Sequence, residues 1–173
     1  VDAIAAIKAD GLIPAMLTGD AAGSANAVAR TVGIADANVH AQLLPEDKLN
    51  ALKEIRKQNG AVMFVGDGIN DAPVLAGADV GAAMGSGADA AIEAADVVFM
   101  NSSVSAIPQA IKIARATGRI SMQNVIFALA VKLLVLVLGF VGFANIWAAV
   151  FADTGVAMLC ILNSMRILLK KFK

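Results

Sequence analysis

The sequence predicts an α/β protein, a doubly wound and mostly parallel sheet, followed by a two-helix transmembrane hairpin. Three observations lead there. Over residues 1 to about 100, short apolar runs alternate with segments of helical spacing, the order that builds a parallel sheet covered by helices. Polar motifs stand where the apolar runs end, the edge at which open α/β sheets gather their chemistry. From Val125 to Met165 the only charged residues are Lys132 and Asp153, a stretch suited to two spans of about 20 residues each.

Composition agrees with a chain of two characters. Its 173 residues suffice for about one domain and a little more. Formal net charge is zero, so no strong field favours nucleic acid, and none is expected as a partner. Hydrophobic residues make up 58%, against about 45–50% in soluble domains, and the excess is not evenly spread, which argues for a soluble part joined to a membrane part. Cys160 is the single cysteine, which excludes a disulfide framework and a Cys-only zinc site. The opening VDAIAAIKADG has neither an initiator Met nor a signal-peptide pattern, and reads as the continuation of a longer chain.

Taken in order, LIPAML is the first strand-like run, and Thr18, Gly19 and Asp20 follow it. SANAVARTVG carries helical spacing, and His40, the only histidine, falls in a loop-like stretch where exposure is expected. PEDKLNALKEIRKQ is a helix that Pro45 can start, with Lys48 in its first turn. AVMFV is a buried strand ending at Asp67, and NDAPVLAGA opens the next helix with Asn70 and Asp71. DVGAAM and DVVFM are two further strands with the helix ADAAIEAA between them. GSGADAA resembles a phosphate loop only loosely, and a turn is the expectation there.

Three strand-end motifs carry chemistry. Acidic residues at a strand end suit a hard, oxygen-seeking cation such as Mg²⁺. A hydroxyl, backbone N–H groups and a lysine converging on the same edge suit a phosphoryl group. Taken singly, TGD could equally cap a helix, and Lys48 could be a solvated surface charge. GDGINDAP is more specific, because a cap needs only one of its two aspartates.

In the apolar half, Gly139, Gly142 and Asn145 mark a break, with GFAN as the turn and Trp147 as an interfacial anchor. Taking the tip at Ala144, Lys132 lies twelve residues before it and Asp153 nine after. At ~1.5 Å per residue the two charges sit roughly 18 and 14 Å below the tip, near mid-bilayer, and are expected to pair. The pair is either a staple for the hairpin or, as intramembrane charge usually is, part of an ion path. Cys160 falls on roughly the face of Asp153 and is read as packing rather than as a ligand. Arg115 and Arg119 precede the first span, and Arg166, Lys170, Lys171 and Lys173 end the second. The positive-inside rule puts both flanks in the cytoplasm.

TGD, PEDK and GDGINDAP, followed by GADVGAAMGSGADAAIEAADVV and a hairpin, resemble the P-type cation-transporting ATPases of the haloacid-dehalogenase superfamily. Lys132 and Asp153-Thr154-Gly155 are similar to the marks of their zinc, cadmium and lead exporters. The Tyr-Asn and Met-x-x-Ser-Ser marks of the copper branch and a cobalt-type His-Glu-Gly are missing. The resemblance implies that Thr18 and Gly19 contact the phosphoryl group, with Asp20 in the same motif, and that Lys48 neutralises its charge. It implies Asp67 as a Mg²⁺ ligand with Asn70 and Asp71 in support, Asp153 as a ligand of the transported Zn²⁺ or Cd²⁺, and Lys132 as its counter-charge.

On this reading residues 1–103 belong to a haloacid-dehalogenase-like, Rossmann-type phosphorylation domain, and 104–121 form a stalk. Residues 122–173 hold membrane helices at about 124–143 and 146–168 and a basic cytoplasmic tail. The implied activity is metal export across a plasma or inner membrane, driven by forming and hydrolysing an aspartyl phosphate from ATP. No Asp-Lys-Thr-Gly-Thr segment occurs, so the acceptor aspartate, the nucleotide-binding domain and the earlier helices are expected elsewhere, and these residues alone are expected to be inactive. The alternatives are a soluble phosphatase of the same superfamily and a non-catalytic membrane protein that keeps the fold.

Overall fold

The structure, a computed structural model, describes residues 1–143 and 145–170. Ala144, Lys171 and Lys173, taken above as the hairpin tip and part of the basic tail, lie outside the described residues. Contacts divide the chain into two units, one from Val1 to Pro108 and one from Gln109 onward.

The first unit opens with helix α1 (Asp2–Ala9), where the sequence offered no clear signal beyond an apolar, alanine-rich start. Strand β1 (Met16–Leu17), helix α2 (Ala22–Val32) and strand β2 (Val39–His40) follow. The two strands pair in parallel, Met16 with Val39 and Leu17 with His40. His40 is therefore a half-buried strand residue and not part of an exposed loop. A two-residue strand leaves almost no periodic signal to read.

Helix α3 (Pro45–Asn59) leads to β3 (Met63–Gly66), α4 (Ala72–Gly77), β4 (Val80–Met84), α5 (Asp89–Ala94) and β5 (Val97–Phe99). The last three strands make a parallel sheet in the order β3-β4-β5, so the expected sheet is realised as two parallel groups, of two and three strands. Leu75, Ala83 and Ala91 are buried together, with Phe64 and Ile92 packed against them. Small residues dominate because α4 and α5 lie close to the strands. The aspartates that bound the strands have structural work: Asp79 accepts the Val62 amide at 2.9 Å, and Asp96 accepts that of Gly81 at 2.8 Å.

Helix α6 (Ala106–Phe140), all but its first three residues in the second unit, runs unbroken from the segment read as a stalk through the segment read as a first span. It ends where Gly142 takes a left-handed φ of +84°. Asn145 then caps α7 (Ile146–Val150), its side chain accepting the Ala148 amide at 3.0 Å. Phe151–Gly155 is a π turn, and α8 (Val156–Met165) completes the element. Ala106–Phe140 and Ile146–Met165, of 35 and 20 residues, are both long and apolar enough to cross a membrane.

Candidate functional site

The strand ends of the first unit are tied together by their backbones. The Thr18 amide donates to the His40 carbonyl at 2.9 Å, and Leu43 returns a bond to the Thr18 carbonyl at 3.0 Å. Gln42, itself at a left-handed φ of 56°, donates to the Asp20 carbonyl at 2.9 Å. The TGD turn is thereby fixed against the segment that starts α3. It does not cap a helix: α2 has Ala21 at its N-cap and no side-chain cap. Within the turn, the Thr18 hydroxyl donates to Asp20 Oδ2 at 2.9 Å, and the Asp20 amide donates to Thr18 Oγ1 at 3.2 Å.

Pro45 stands in the first turn of α3, where its missing N–H costs nothing, and Lys48 follows on that turn. The lysine is no surface charge. Lys48 Nζ lies 2.8 Å from Asp71 Oδ1, and the two side chains are only 17% and 12% exposed. The other oxygen, Asp71 Oδ2, accepts the Gly68 amide at 3.2 Å. Asp71 is buried, and both its oxygens are engaged, one by a cation and one by the loop that carries Asp67. An aspartate so held fixes the Lys48 ammonium on one side and the Asp67 loop on the other.

Asp67 itself is exposed at the end of β3, with Asn70 exposed in the short 3₁₀ turn Ile69–Asp71 beside it. The Asp67 carbonyl accepts the Ala88 amide at 2.9 Å. A Cβ on Gly87 would lie 2.8 Å from that carbonyl oxygen, so the backbone approaches only because Gly87 has no side chain. The GSGADAA segment is a turn, as its sequence suggested, and its task is to brace the Asp67 loop. That task was invisible in the sequence, because the two segments meet only across the β3-β4 edge. Among the described residues no cluster of three or more His, Cys, Asp or Glu is arranged to hold a metal.

In the second unit, Lys132 Nζ and Asp153 Oδ1 are 2.9 Å apart, the pairing expected from their matched depth. Their side chains are 55% and 76% exposed, and they border a groove with Asn145 and Ala149. Asp153 sits in the π turn, a rare backbone form often found at functional positions. A Cβ on Gly155 would lie 2.6 Å from the Phe151 ring, so the glycine of the Asp-Thr-Gly triplet lets that ring close over the turn.

Comparison with known proteins places both halves. A model of the haloacid dehalogenase-like hydrolases matches residues 1–79. The cadmium, zinc and cobalt-transporting ATPase of Bacillus subtilis is 47% identical over 176 residues, covering 99% of this chain and 25% of its own length. A zinc-transporting ATPase of Synechocystis is 52% identical over 155 residues, covering 88% of this chain and 21% of its own. The crystal structure of a zinc-transporting PIB-type ATPase in its E2.Pi state matches with a TM-score of 0.91 at 40% identity, over 96% of this chain and 27% of that one. The chain spans about a quarter of the length of the curated relatives it matches. It is therefore similar over residues 1–79 to the haloacid dehalogenase-like hydrolases and, over nearly all its length, in sequence and fold to one part of the zinc- and cadmium-transporting P-type ATPases.

Proposed function

We propose that this chain contributes part of the phosphorylation domain and two membrane helices to an ATP-driven pump for zinc-like divalent ions, Zn²⁺ or Cd²⁺ first. The observation that carries the reading is the Lys132–Asp153 pair, 2.9 Å apart on two helices long and apolar enough to span a bilayer. A soluble phosphatase has no use for such helices. Charges in an apolar helix are costly unless paired, and they mark ion paths more often than staples.

In the first unit the Gly19 amide would hold a phosphoryl oxygen, and the Thr18 hydroxyl would hold another by turning its one proton away from Asp20, whose amide still donates to Thr18 Oγ1 at 3.2 Å. Lys48 would neutralise the developing charge, and Asp71 aims it through the 2.8 Å bond. Asp67 fits a Mg²⁺ ligand: it is an exposed carboxylate at a strand end, and carboxylate oxygen is the ligand type this hard cation takes. One or two carboxylates are the usual protein share of such a site, the rest being phosphate and water, and bound Mg²⁺ screens phosphate charge. Asn70, on the same turn, would support it. The aspartate that receives the phosphoryl group from ATP lies outside these residues on this reading.

In the second unit, Asp153 would bind the transported ion, and Lys132 would take its place at the carboxylate when the ion leaves. Carboxylate oxygen suits Zn²⁺, whereas Cu⁺ prefers soft sulfur. The proposal keeps residues 1–103 and 104–121 as domain and stalk and residues 122–173 as the membrane part, with the first unit and the C-terminus in the cytoplasm.

The test exchanges this chain for the matching quarter of the Bacillus subtilis pump. The chimera is expected to hydrolyse ATP when given Zn²⁺ or Cd²⁺, and the 173 residues alone to form no hydroxylamine-sensitive phosphoprotein from labelled ATP. Stimulation by Cu⁺ but not Zn²⁺, or labelling of the isolated chain, overturns the reading.

A further inference from the structure

The two apolar helices make a second polar contact, well away from Lys132 and Asp153. Asn124 on α6 donates through Nδ2 to the Cys160 carbonyl at 3.1 Å and to Ser164 Oγ at 2.8 Å. Its Oδ1 accepts from Asn163 Nδ2 at 2.8 Å. The partners are themselves held: Ser164 Oγ donates to the Cys160 carbonyl at 2.9 Å, and Arg166 donates to Asn163 Oδ1 at 2.9 Å. Both ends of one amide are thus bound to three residues of the facing helix. Polar side chains between apolar helices hold those helices together, because lipid offers them no other partner.

Position gives this clamp a meaning beyond cohesion. Asn124 precedes Lys132 by eight residues, and Cys160 follows Asp153 by seven. At ~1.5 Å per residue these are roughly 12 and 10.5 Å, so the clamp and the ion pair are two fixed points with matched spacing on antiparallel helices. The helix between Asp153 and Cys160 is not uniform. The regular α8 holds Cys160, while Asp153 lies in the π turn Phe151–Gly155, whose wider winding breaks the regular register. Any register held at the clamp reaches the carboxylate only through that turn.

We propose that Asn124 is a positioning residue for the cargo site: by clamping α6 to α8 it sets how closely Lys132 meets Asp153, and so how strongly the ammonium competes with a metal ion. This rests on the reading of Asp153 as a cargo ligand. With the clamp removed, Lys132 is no longer held on the carboxylate, and a metal ion meets less competition there.

The experiment uses the Bacillus subtilis chimera and Zn²⁺ as the probe, reading the zinc concentration that half-saturates ATP hydrolysis. Asn124→Leu keeps the side-chain size and removes the amide. It is expected to lower that concentration by about two- to thirtyfold, the range of coupling changes made by residues that touch neither ligand. In a Lys132→Ala background the same substitution is expected to change nothing, since the competitor it acts through is gone. Ser164→Ala removes one of the bonds and keeps the fold safer; a smaller shift in the same direction is expected, again lost with Lys132→Ala. An equal shift in both backgrounds makes the clamp merely structural and overturns the proposal, as does an unchanged zinc dependence in Ser164→Ala. If Lys132→Ala alone leaves zinc dependence at the parent value, the cargo reading of the pair falls first.

Discussion

Each unit of this chain joins a lysine to an aspartate at nearly the same distance, 2.8 Å for Lys48–Asp71 and 2.9 Å for Lys132–Asp153. Their surroundings differ. The first pair is enclosed, with side chains 17% and 12% exposed, and the spare oxygen of Asp71 is bound by the Gly68 amide. In the second, the side chains are 55% and 76% exposed, and among the described residues two helices hold it. A closed pair with both carboxylate oxygens engaged holds its ammonium in one place. An open pair in apolar helices can be exchanged, because a cation that reaches the carboxylate has only one competitor to displace. Two ion pairs of nearly equal length therefore differ in how much of the surrounding chain encloses them.

The largest effect that would break this comparison belongs to Asp67, the exposed carboxylate beside the closed pair. In the chimeric pump, Asp67→Asn is expected to lower phosphoenzyme formation from ATP at least about a hundredfold, the scale of losing one electrostatic contact to a developing charge. Circular dichroism and thermal unfolding should stay at the parent values. Near-normal labelling with unchanged Mg²⁺ dependence would remove Asp67 from the site.

Asp153→Ala comes next. Zinc-stimulated hydrolysis should require at least about tenfold more zinc or vanish, since a ligand outweighs the residues that merely orient ligands. On the proposed function, phosphorylation by inorganic phosphate should persist, since it would need the first unit and not Asp153. A variant that still responds to zinc like the parent would make the open pair a staple, and the contrast between the two pairs would collapse.

For the closed pair the readout is stability. Asp71→Asn leaves Lys48 facing a neutral amide in a largely enclosed place, and breaking such a pair from one side costs about 3 kcal/mol. For a chain of this size that lowers the melting temperature by roughly 6–12 °C, measurable on the whole chain in detergent. An unchanged melting temperature would mean that the enclosure contributes nothing.

The smallest effect is at Arg30–Asp36, where Arg30 Nη2 lies 2.7 Å from Asp36 Oδ2 on the open surface. The hydrogen bond from Arg30 holds the Asp36 carboxyl below its usual value. Any stability it adds is therefore present above the ordinary carboxylate range and lost as pH falls through the lower, folded value. Asp36→Asn is expected to leave the melting temperature at pH 7 unchanged, because exposed pairs are screened. A clear loss at pH 7 would show that exposure alone does not separate strong pairs from weak ones.

Much of this was legible in the residues. Apolar runs such as AVMFV and DVGAAM announce strands because a strand covered on both faces needs continuous hydrophobicity. GDGINDAP announces a strand end because polar residues gather where the apolar run stops. Lys132 and Asp153 announced their own pairing, since two lone charges in apolar helices at matched depth have no cheaper partner. Helix α1 and strand β2 were missed, the first for want of a sharp amphipathic pattern and the second because two residues carry no period.

What the sequence determined, then, is the order of elements, the division into a mixed and an apolar half, and which side chains carry charge. Those follow from local hydrophobicity and spacing, which act between neighbours along the chain. Only the tertiary structure decided that Asp71 is engaged by Lys48 and Gly68, that the Gly87 turn braces Asp67, and that Asn124 clamps α6 to α8. Each of those contacts joins residues through space, across a strand edge or a helix pair. The π turn at Asp153 belongs with them, since the 3.6-residue period of its flanks continues in sequence while the backbone departs from it.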